Sequence, residues 1–200
     1  LVTHGLSMDR SAAFLHLRDA ATTVAVVLAL GVVLFGVAGV WPPMVAIESP
    51  SMVPHVETGD LVVVSDPGRF AGESADVRGV VTAATPGNYS RLGDSGDVIV
   101  FAPPGRAGSP IIHRAQFRVD AGENWYDEAD PAYLRGANDC AELAACPAPH
   151  AGYITKGDNN RAYDQAAGIA PVVKPSWVRA KAQFHIPELG WVRLTIAGKA

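Results

Sequence analysis

The chain has 200 residues and a net charge of −4, and 48% of its residues are hydrophobic while only 18% are charged. This length accommodates one domain of ordinary size together with a membrane anchor, and the slightly acidic balance gives no reason to expect a nucleic-acid partner. The 20 glycines and 15 prolines favour short strands joined by turns over a helical bundle.

An uncharged apolar run follows a short lead-in of mixed composition over residues 1–19. No charged side chain occurs between Ala20 and Ile47, and the first part of this run is long enough to cross a hydrocarbon core as a helix of about 20 residues. Trp41 suits an interfacial position, and the two prolines that follow it end a helix. We therefore predict a transmembrane anchor over residues 20–41.

Two alternatives to an anchor fit this run less well. A cleaved signal peptide has a shorter apolar region that is followed closely by a cleavage site with small residues. A buried core helix fits poorly because the run is apolar on all sides. Arg10 and Arg18 precede the run and favour an N-terminus inside the cytosol, so we expect the rest of the chain to be extracytoplasmic.

Short β-branched runs dominate the region from residue 42 to residue 192. Two of them directly follow a Gly-Asp pair and are bounded by turn residues, which is typical of buried strands. We predict strands over Leu61–Val64, Val77–Thr82, Val98–Phe101, Ser109–Val119, Tyr153–Thr155, Val172–Val173 and Val178–Ile186. The expected fold class is therefore mainly β, with one N-terminal transmembrane helix.

Residues 120–151 interrupt the strand pattern. They show no sustained periodicity and are rich in Asp, Glu, Gly, Ala and Pro, so we predict an irregular insertion on the surface of the β-domain. The insertion holds both cysteines, Cys140 and Cys146. A zinc site needs a fuller set of ligands, so neither a metal nor a cofactor is expected. In an oxidising compartment the pair would close a disulfide, which we favour over free thiols.

The end of the chain is mildly apolar from Leu189 onward and too short for a second span. We predict a strand end or the approach to a further element there, with residues 193–200 as a C-terminal tail.

Two serines lie between prolines shortly after the predicted anchor. Pro50 and Pro54 push the preceding residues, Ser49 and Val53, towards extended conformations, so the segment is expected to present a rigid hydroxyl at Ser51. A serine hydroxyl is a poor nucleophile until a base takes its proton. On this stretch alone, a polar linker between anchor and domain is an equally good interpretation.

His113 is the histidine best placed to be that base, because it lies in the middle of a predicted strand on a mostly apolar face. A lone histidine in such a place is more often a core residue than a catalyst. A carboxylate that holds its ring would reverse that preference. Asp158 and Asp164 flank an Asn-rich turn and are available, although each alone is also an ordinary turn residue.

In chain order, these features resemble the type I signal peptidases, specifically their archaeal and eukaryotic endoplasmic-reticulum branch. Four segments carry the resemblance: the nucleophile box Ser49-Pro50-Ser51-Met52-Val53-Pro54, the strand box Gly96-Asp97-Val98-Ile99-Val100-Phe101, the base box Ile112-His113-Arg114, and Thr155-Lys156-Gly157-Asp158-Asn159-Asn160 with Asp164. The likeness covers about Val33 to Val192, apart from the insertion.

The resemblance implies a membrane-bound serine endopeptidase with a signal-peptidase-like β-fold that removes signal peptides from secretory preproteins. Ser51 would attack the scissile carbonyl, and His113 would accept its proton and later activate water. Asp164 would be the acidic member and Asp158 would support the site, while the Ser51 amide and the Ser49 hydroxyl would hold the oxyanion. The resemblance also implies a preference for small residues one and three positions before the cut.

The implied partners are secretory preproteins and the lipid bilayer, with accessory membrane subunits left open. The implied location is the cell membrane, or the endoplasmic-reticulum membrane in a eukaryote. Pro50 departs from the family because glycine is usual at its position, and the insertion is longer than expected. The second, C-terminal span of some relatives is not found in the chain.

Two other functions stay open from the sequence. In the first, Ser51 works with Lys156 as the base in a serine–lysine dyad. In the second, the chain is a non-catalytic, membrane-tethered β-domain in which Ser51 and His113 are turn and packing residues.

Overall fold

The computed structural model describes residues 10–199, with side chains from residue 12 onward. The chain divides into two compact units, Leu1–Val37 and Ala38–Ala200. Residues 1–9 of the predicted lead-in lie outside the described part of the chain.

Helix α1 (Arg10–Ala38) contains the described part of the first unit, and its last residue, Ala38, belongs to the second unit. Its 27-residue stretch Ala12–Ala38 is long and apolar enough to cross a membrane. The helix begins earlier than the predicted anchor and ends slightly sooner, because Pro42 cannot continue it without a clash with the carbonyl group of Ala38. That carbonyl oxygen instead accepts a hydrogen bond of 2.8 Å from the Asp66 amide.

The second unit is built on a six-stranded sheet with the order β1-β2-β8-β5-β6-β7, in which all neighbouring strands are antiparallel. These strands are β1 (Met44–Ala46), β2 (Leu61–Ser65), β5 (Val98–Phe101), β6 (Ile111–Val119), β7 (Gly152–Lys156) and β8 (Val178–Ile186). Two further strands, β3 (Ser90–Arg91) and β4 (Asp94–Ser95), pair with each other. The fold is therefore mainly β, as expected.

The aspartates of the two Gly-Asp pairs anchor loops beside the strands that they precede. Asp97, before β5, accepts hydrogen bonds of 2.6 Å from the Tyr89 hydroxyl and 2.9 Å from the Val81 amide. The ammonium group of the fully buried Lys181 lies 3.5 Å from the same carboxylate. Burial lowers the pKa of Lys181, and the nearby charge of Asp97 acts in the opposite direction.

Three predicted elements differ from the structure. Val77–Thr82 is not a strand, because the Asp76 carboxylate accepts hydrogen bonds from nearby amides and Gly79 adopts a φ of +85°, which together make a loop. Val172–Val173 contributes only an isolated bridge between Val173 and Tyr153. The C-terminal segment forms helix α3 (Gly190–Ile196) in place of the expected strand end. Its buried Leu194 packs with β1 and β2.

The insertion is irregular, as predicted, but it is more than a surface excursion. It contains two short 3₁₀ turns, Pro131–Tyr133 and Cys140–Glu142, and a disulfide joins Cys140 to Cys146. Trp125 is fully buried and donates a hydrogen bond of 2.8 Å to the Ala145 carbonyl oxygen. Around it, the insertion forms a core with residues of β6 and β7, so this segment stabilises one end of the sheet.

Asp60, at the start of β2, joins the C-terminal segment to the sheet. Its buried carboxylate accepts hydrogen bonds from the amides of Glu57 at 3.0 Å and Glu188 at 3.1 Å, and from His185 Nδ1 at 2.7 Å. Burial raises the pKa of Asp60, but these hydrogen bonds together outweigh burial and leave the pKa below its ordinary value.

We predict that Asp60→Asn lowers the free energy of unfolding at pH 7 by about 1–3 kcal/mol, because hydrogen bonds to a charged carboxylate are lost. A lowered folded-state pKa stabilises the fold above the unfolded value of about 4, and this contribution is lost as the pH falls further. Thermal unfolding in detergent micelles at pH 7 and near pH 3 measures both effects.

The matched control for this variant is Asp120→Asn, since the Asp120 side chain is 79% exposed. This control should unfold like the wild type at both pH values. A difference between Asp60→Asn and the wild type that stays the same at both pH values would contradict the assignment to the Asp60 charge.

Candidate active site

Ser51 lies in a single 3₁₀ turn, Pro50–Met52, that packs against β6. Ser49 is extended, with φ −145° and ψ 157°. The expected extended backbone is therefore present at Ser49 and at Val53. Ser51 lies in the turn between them, where the fully buried Met52 fixes the segment to the core. Asn159 also holds this turn, because its backbone amide donates a hydrogen bond to the Ser51 carbonyl oxygen at 2.9 Å.

His113 and Asp164 form a buried pair. The imidazole Nδ1 lies 2.7 Å from Asp164 Oδ2, and the side chains are 7% and 0% exposed. An ionised carboxylate can only accept hydrogen bonds, so Nδ1 is the donor in this pair, and in a neutral imidazole Nε2 is then an acceptor. Asp164 is the first residue of helix α2 (Asp164–Ala167). The carboxylate that contacts the histidine is thus that of Asp164.

Gly157 brings the imidazole and the serine turn together. A Cβ atom at this position would lie 2.9 Å from His113 Nε2 and 2.6 Å from the Ser51 carbonyl oxygen. Gly157 therefore lies between the His113 Nε2 atom and the turn that carries Ser51, and it has no side chain to separate them. Only glycine leaves this space open.

The Ser49 hydroxyl lies beside that of Ser51, with 3.3 Å between the two oxygen atoms. Pro50, between them, has no amide hydrogen to offer. The Ser49 hydroxyl, one of the two groups predicted to hold an oxyanion, is thus close to the Ser51 hydroxyl oxygen.

Asp158, which the resemblance implies supports the site, makes no hydrogen bond with His113. Its carboxylate accepts two hydrogen bonds from Arg114, at 2.9 Å from Nε and 2.6 Å from Nη2, and lies 2.8 Å from His55 Nδ1. Arg114 is 1% exposed and also donates to the carbonyl oxygens of Arg91, Leu92, Asp94, Ser95 and Gly96. The Arg114–Asp158 pair therefore joins the turn after β7 to the β3–β4 loop.

Asp158 also belongs to a group of possible metal ligands with His55 and Asp94, whose ligand atoms lie within 4.8 Å of one another. Arg114 already places its fixed positive charge on Asp158. A cation at the same carboxylate would be repelled by this guanidinium, so the ion pair accounts for the grouping.

Lys156 is oriented towards backbone carbonyl groups. Its ammonium group donates to the oxygens of Gly157, Asp158 and Asn160 at 3.0 to 3.3 Å and lies 4.6 Å from the centre of the Tyr133 ring. Burial lowers the pKa of Lys156, while Asp158 and Asp164 act against that change. Because three carbonyl oxygens take its three donors, Lys156 serves the turn after β7. Within residues 12–199, neither the Lys156 ammonium group nor the His113 imidazole makes a hydrogen bond with the Ser51 hydroxyl, whose partner is the Ser49 hydroxyl.

The insertion supports the segment that carries Asp164. The preceding residue, Tyr163, donates its amide hydrogen to the Tyr133 carbonyl oxygen at 3.1 Å, and its hydroxyl accepts from the Asp130 amide at 3.2 Å. Its ring makes edge-to-face contacts with Tyr133 and Phe117. The sequence pattern gave no sign of this role, because the insertion has no periodicity.

Ser49, Ser51, His113 and Asn160 line a common groove of about 920 Å³. Its apolar lining includes Val45, Ile47, Val64, Val100, Ile112 and Ala180, which belong to the core cluster under β2, β5 and β8. Ser51 and the His113 ring thus border a concave surface large enough for a short peptide segment, while Asp164 lies fully buried.

In comparisons with known proteins, no protein-family model matches the chain, and no curated protein matches it. Membership of the signal peptidase family therefore stays a prediction from the motifs.

We predict that Gly157→Ala destabilises the protein by about 1–3 kcal/mol, the usual cost of an added methyl group in a packed site. The new methyl group would press on His113 Nε2 and the Ser51 carbonyl oxygen. Chemical denaturation in micelles measures the effect, with Gly68→Ala as the control because Gly68 lies in an exposed turn. Equal stability of the two variants would mean that the serine turn and the imidazole do not meet at Gly157.

Proposed function

We propose that this chain is a membrane-anchored serine endopeptidase that removes signal peptides from secretory preproteins. The observation that carries the proposal is the meeting of three distant parts of the chain at one groove. His113 and Asp164 form a buried hydrogen-bonded pair, and Gly157 lets the free imidazole nitrogen approach the Ser51 turn. The order and spacing of the four motifs support the same function.

The arrangement suits acyl transfer. His113 Nε2 takes the proton of the Ser51 hydroxyl as its oxygen attacks the scissile carbonyl carbon, and then delivers that proton to the leaving amine. Water, deprotonated by the same nitrogen, hydrolyses the acyl-enzyme. Asp164 accepts the Nδ1 hydrogen, which keeps the imidazole in the required tautomer and stabilises the imidazolium that forms.

The tetrahedral intermediate needs donors for its oxyanion. The Ser51 amide and the Ser49 hydroxyl are the proposed donors, and the 3.3 Å separation of the two hydroxyl oxygens supports the second assignment. Loss of one such donor typically lowers the rate by about 10²–10³-fold.

The substrate class follows from the groove and from the helix. An apolar groove lining accepts small or apolar side chains from an extended peptide. Ser51 follows shortly after a helix that is apolar enough to span a membrane, so a bilayer-anchored preprotein would present its cleavage site nearby. The preference for small residues before the cut is the part of this proposal that comes from the family resemblance.

The compartment is part of the same proposal. Arg10 and Arg18 precede the span and favour a cytosolic N-terminus, which places the β-domain on the opposite side of the membrane. The Cys140–Cys146 disulfide is consistent with an oxidising, extracytoplasmic environment.

We predict that the purified chain in detergent micelles cleaves a preprotein and that Ser51→Ala lowers kcat/KM by at least about 10³-fold, because the nucleophile is lost. Gel analysis of the cleaved preprotein measures this, with Ser74→Ala as the control because Ser74 is exposed and outside the groove. Equal rates for the wild type and Ser51→Ala would refute the proposed function and favour the non-catalytic β-domain.

We predict that His113→Ala loses activity as severely as Ser51→Ala, since both act in one step. Per folded molecule, Lys156→Met should stay at least about tenfold more active than His113→Ala, because the Lys156 ammonium group is hydrogen-bonded to the turn and not to the serine. The ratio of the two cleavage rates, normalised to folded protein by circular dichroism, decides between the bases. The reverse order of activity would establish a serine–lysine dyad.

A further inference from the structure

Thr155 and Gln165 form a buried hydrogen-bonded chain behind Asp164. Thr155 Oγ1 lies 2.7 Å from Asp164 Oδ2, the same oxygen that His113 contacts. Gln165 Oε1 accepts from the Thr155 amide at 3.0 Å, and Gln165 Nε2 lies 3.4 Å from Thr155 Oγ1 and 3.0 Å from the Pro171 carbonyl oxygen. The exposed fractions of Thr155, Asp164 and Gln165 are 0%, 0% and 2%.

The direction of each hydrogen bond in this chain follows from its neighbours. A backbone N–H and a carbonyl oxygen flank the Gln165 amide group, so its oxygen must face the Thr155 amide and its nitrogen must face Pro171. The same nitrogen therefore donates to the Thr155 hydroxyl oxygen. The hydroxyl hydrogen is then free to point at Asp164, which only accepts. Chains of this kind, with every donor aligned, strengthen one another in a buried setting.

Both donors to Asp164 act on a single oxygen. Asp164 Oδ1 is buried and accepts no hydrogen bond from any residue that the structure describes. The only hydrogen bonds from described residues that restrain rotation of the carboxylate about its Cβ–Cγ bond are therefore those to Oδ2, from His113 and Thr155. Without the Thr155 hydroxyl, the only hydrogen bond left to orient the Asp164 carboxylate would be the one from His113. The carboxylate could then not hold the imidazole in a fixed orientation.

We propose that Thr155 is a positioning residue for the reaction, which fixes Asp164 Oδ2 against His113 and is itself fixed by Gln165. This inference rests on the proposed peptidase function. Thr155 touches neither the substrate nor the reacting atoms, and it acts through Asp164 on the orientation of the imidazole. Thr155 is not among the residues that line the groove.

The first test compares Thr155→Val with Thr155→Ser in preprotein cleavage by the full chain in detergent micelles. Valine keeps the shape and the backbone hydrogen bond to Gln165 but lacks the hydroxyl, so kcat should fall by about tenfold with KM unchanged. Serine keeps the hydroxyl and should restore most of the rate. Thr82→Val is the matched control, because Thr82 is also buried but its hydroxyl bonds to Thr85, away from the groove.

The second test does not depend on activity. With ¹⁵N-labelled histidine, the hydrogen-bonded Nδ1 proton of His113 should give a far-downfield NMR resonance in the wild type and in Thr155→Ser. The resonance should broaden or disappear in Thr155→Val, because this change removes the hydroxyl that fixes Asp164 against His113. It should persist in Thr82→Val, because that change leaves the hydrogen bonds of Asp164 intact.

The proposal is overturned if Thr155→Val keeps both kcat and the downfield resonance. It is also overturned if valine and serine lower the melting temperature alike while kcat per folded molecule is unchanged, since Thr155 would then be structural only. A wild type that cleaves no preprotein would refute the proposed function, and the resonance would still decide whether Thr155 holds Asp164 on His113.

Discussion

The proposed chemistry depends on one buried hydrogen bond, between His113 Nδ1 and Asp164 Oδ2. A carboxylate without access to water is costly unless donors surround it, and here the imidazole and the Thr155 hydroxyl offset part of that cost on one oxygen. The β6–β7 pairing sets Ala115 opposite Thr155 and brings the end of β7, and α2 after it, to His113. The geometry of the candidate site is thus a consequence of strand register.

Two adjacent residues of β6, His113 and Arg114, have different roles in the candidate site and in the turn that supports it. Side chains of successive strand residues point to opposite faces, so the two side chains diverge: His113 pairs with Asp164, and Arg114 pairs with Asp158 and the β3–β4 loop. Arg114 holds the turn at Gly157 through Asp158, and Asn159 in that turn holds the Ser51 segment. The turn Gly157–Asn160 is therefore bonded both to Arg114 and to the segment that carries Ser51. These two connections explain why the Lys-Gly-Asp-Asn-Asn motif is so dense in polar residues.

The sequence predicted most of the strands, because their β-branched runs reflect burial on both faces, and it placed His113 correctly on the apolar face of β6. The residues alone could not decide between Asp158 and Asp164, since both flank the same turn; the family resemblance favoured Asp164, and the placement of α2 sets its carboxylate against His113. Val77–Thr82 was misassigned because hydrogen bonds from the backbone amides of Arg78 and Val80 to the Asp76 carboxylate override its β propensity. Thr155 and Gln165 were missed, although a threonine within a fully buried five-residue strand is a signal that its hydroxyl has a partner.

The most direct test of the account is to trap the acyl-enzyme. A peptide ester with small residues before the scissile bond is mixed with the full chain in micelles, and the reaction is quenched in acid and analysed by intact-mass and fragment-mass spectrometry. The account predicts a stoichiometric acyl adduct on Ser51 that is absent from Ser51→Ala and strongly reduced in His113→Ala. An adduct on another residue, or one that forms equally without His113, would contradict it.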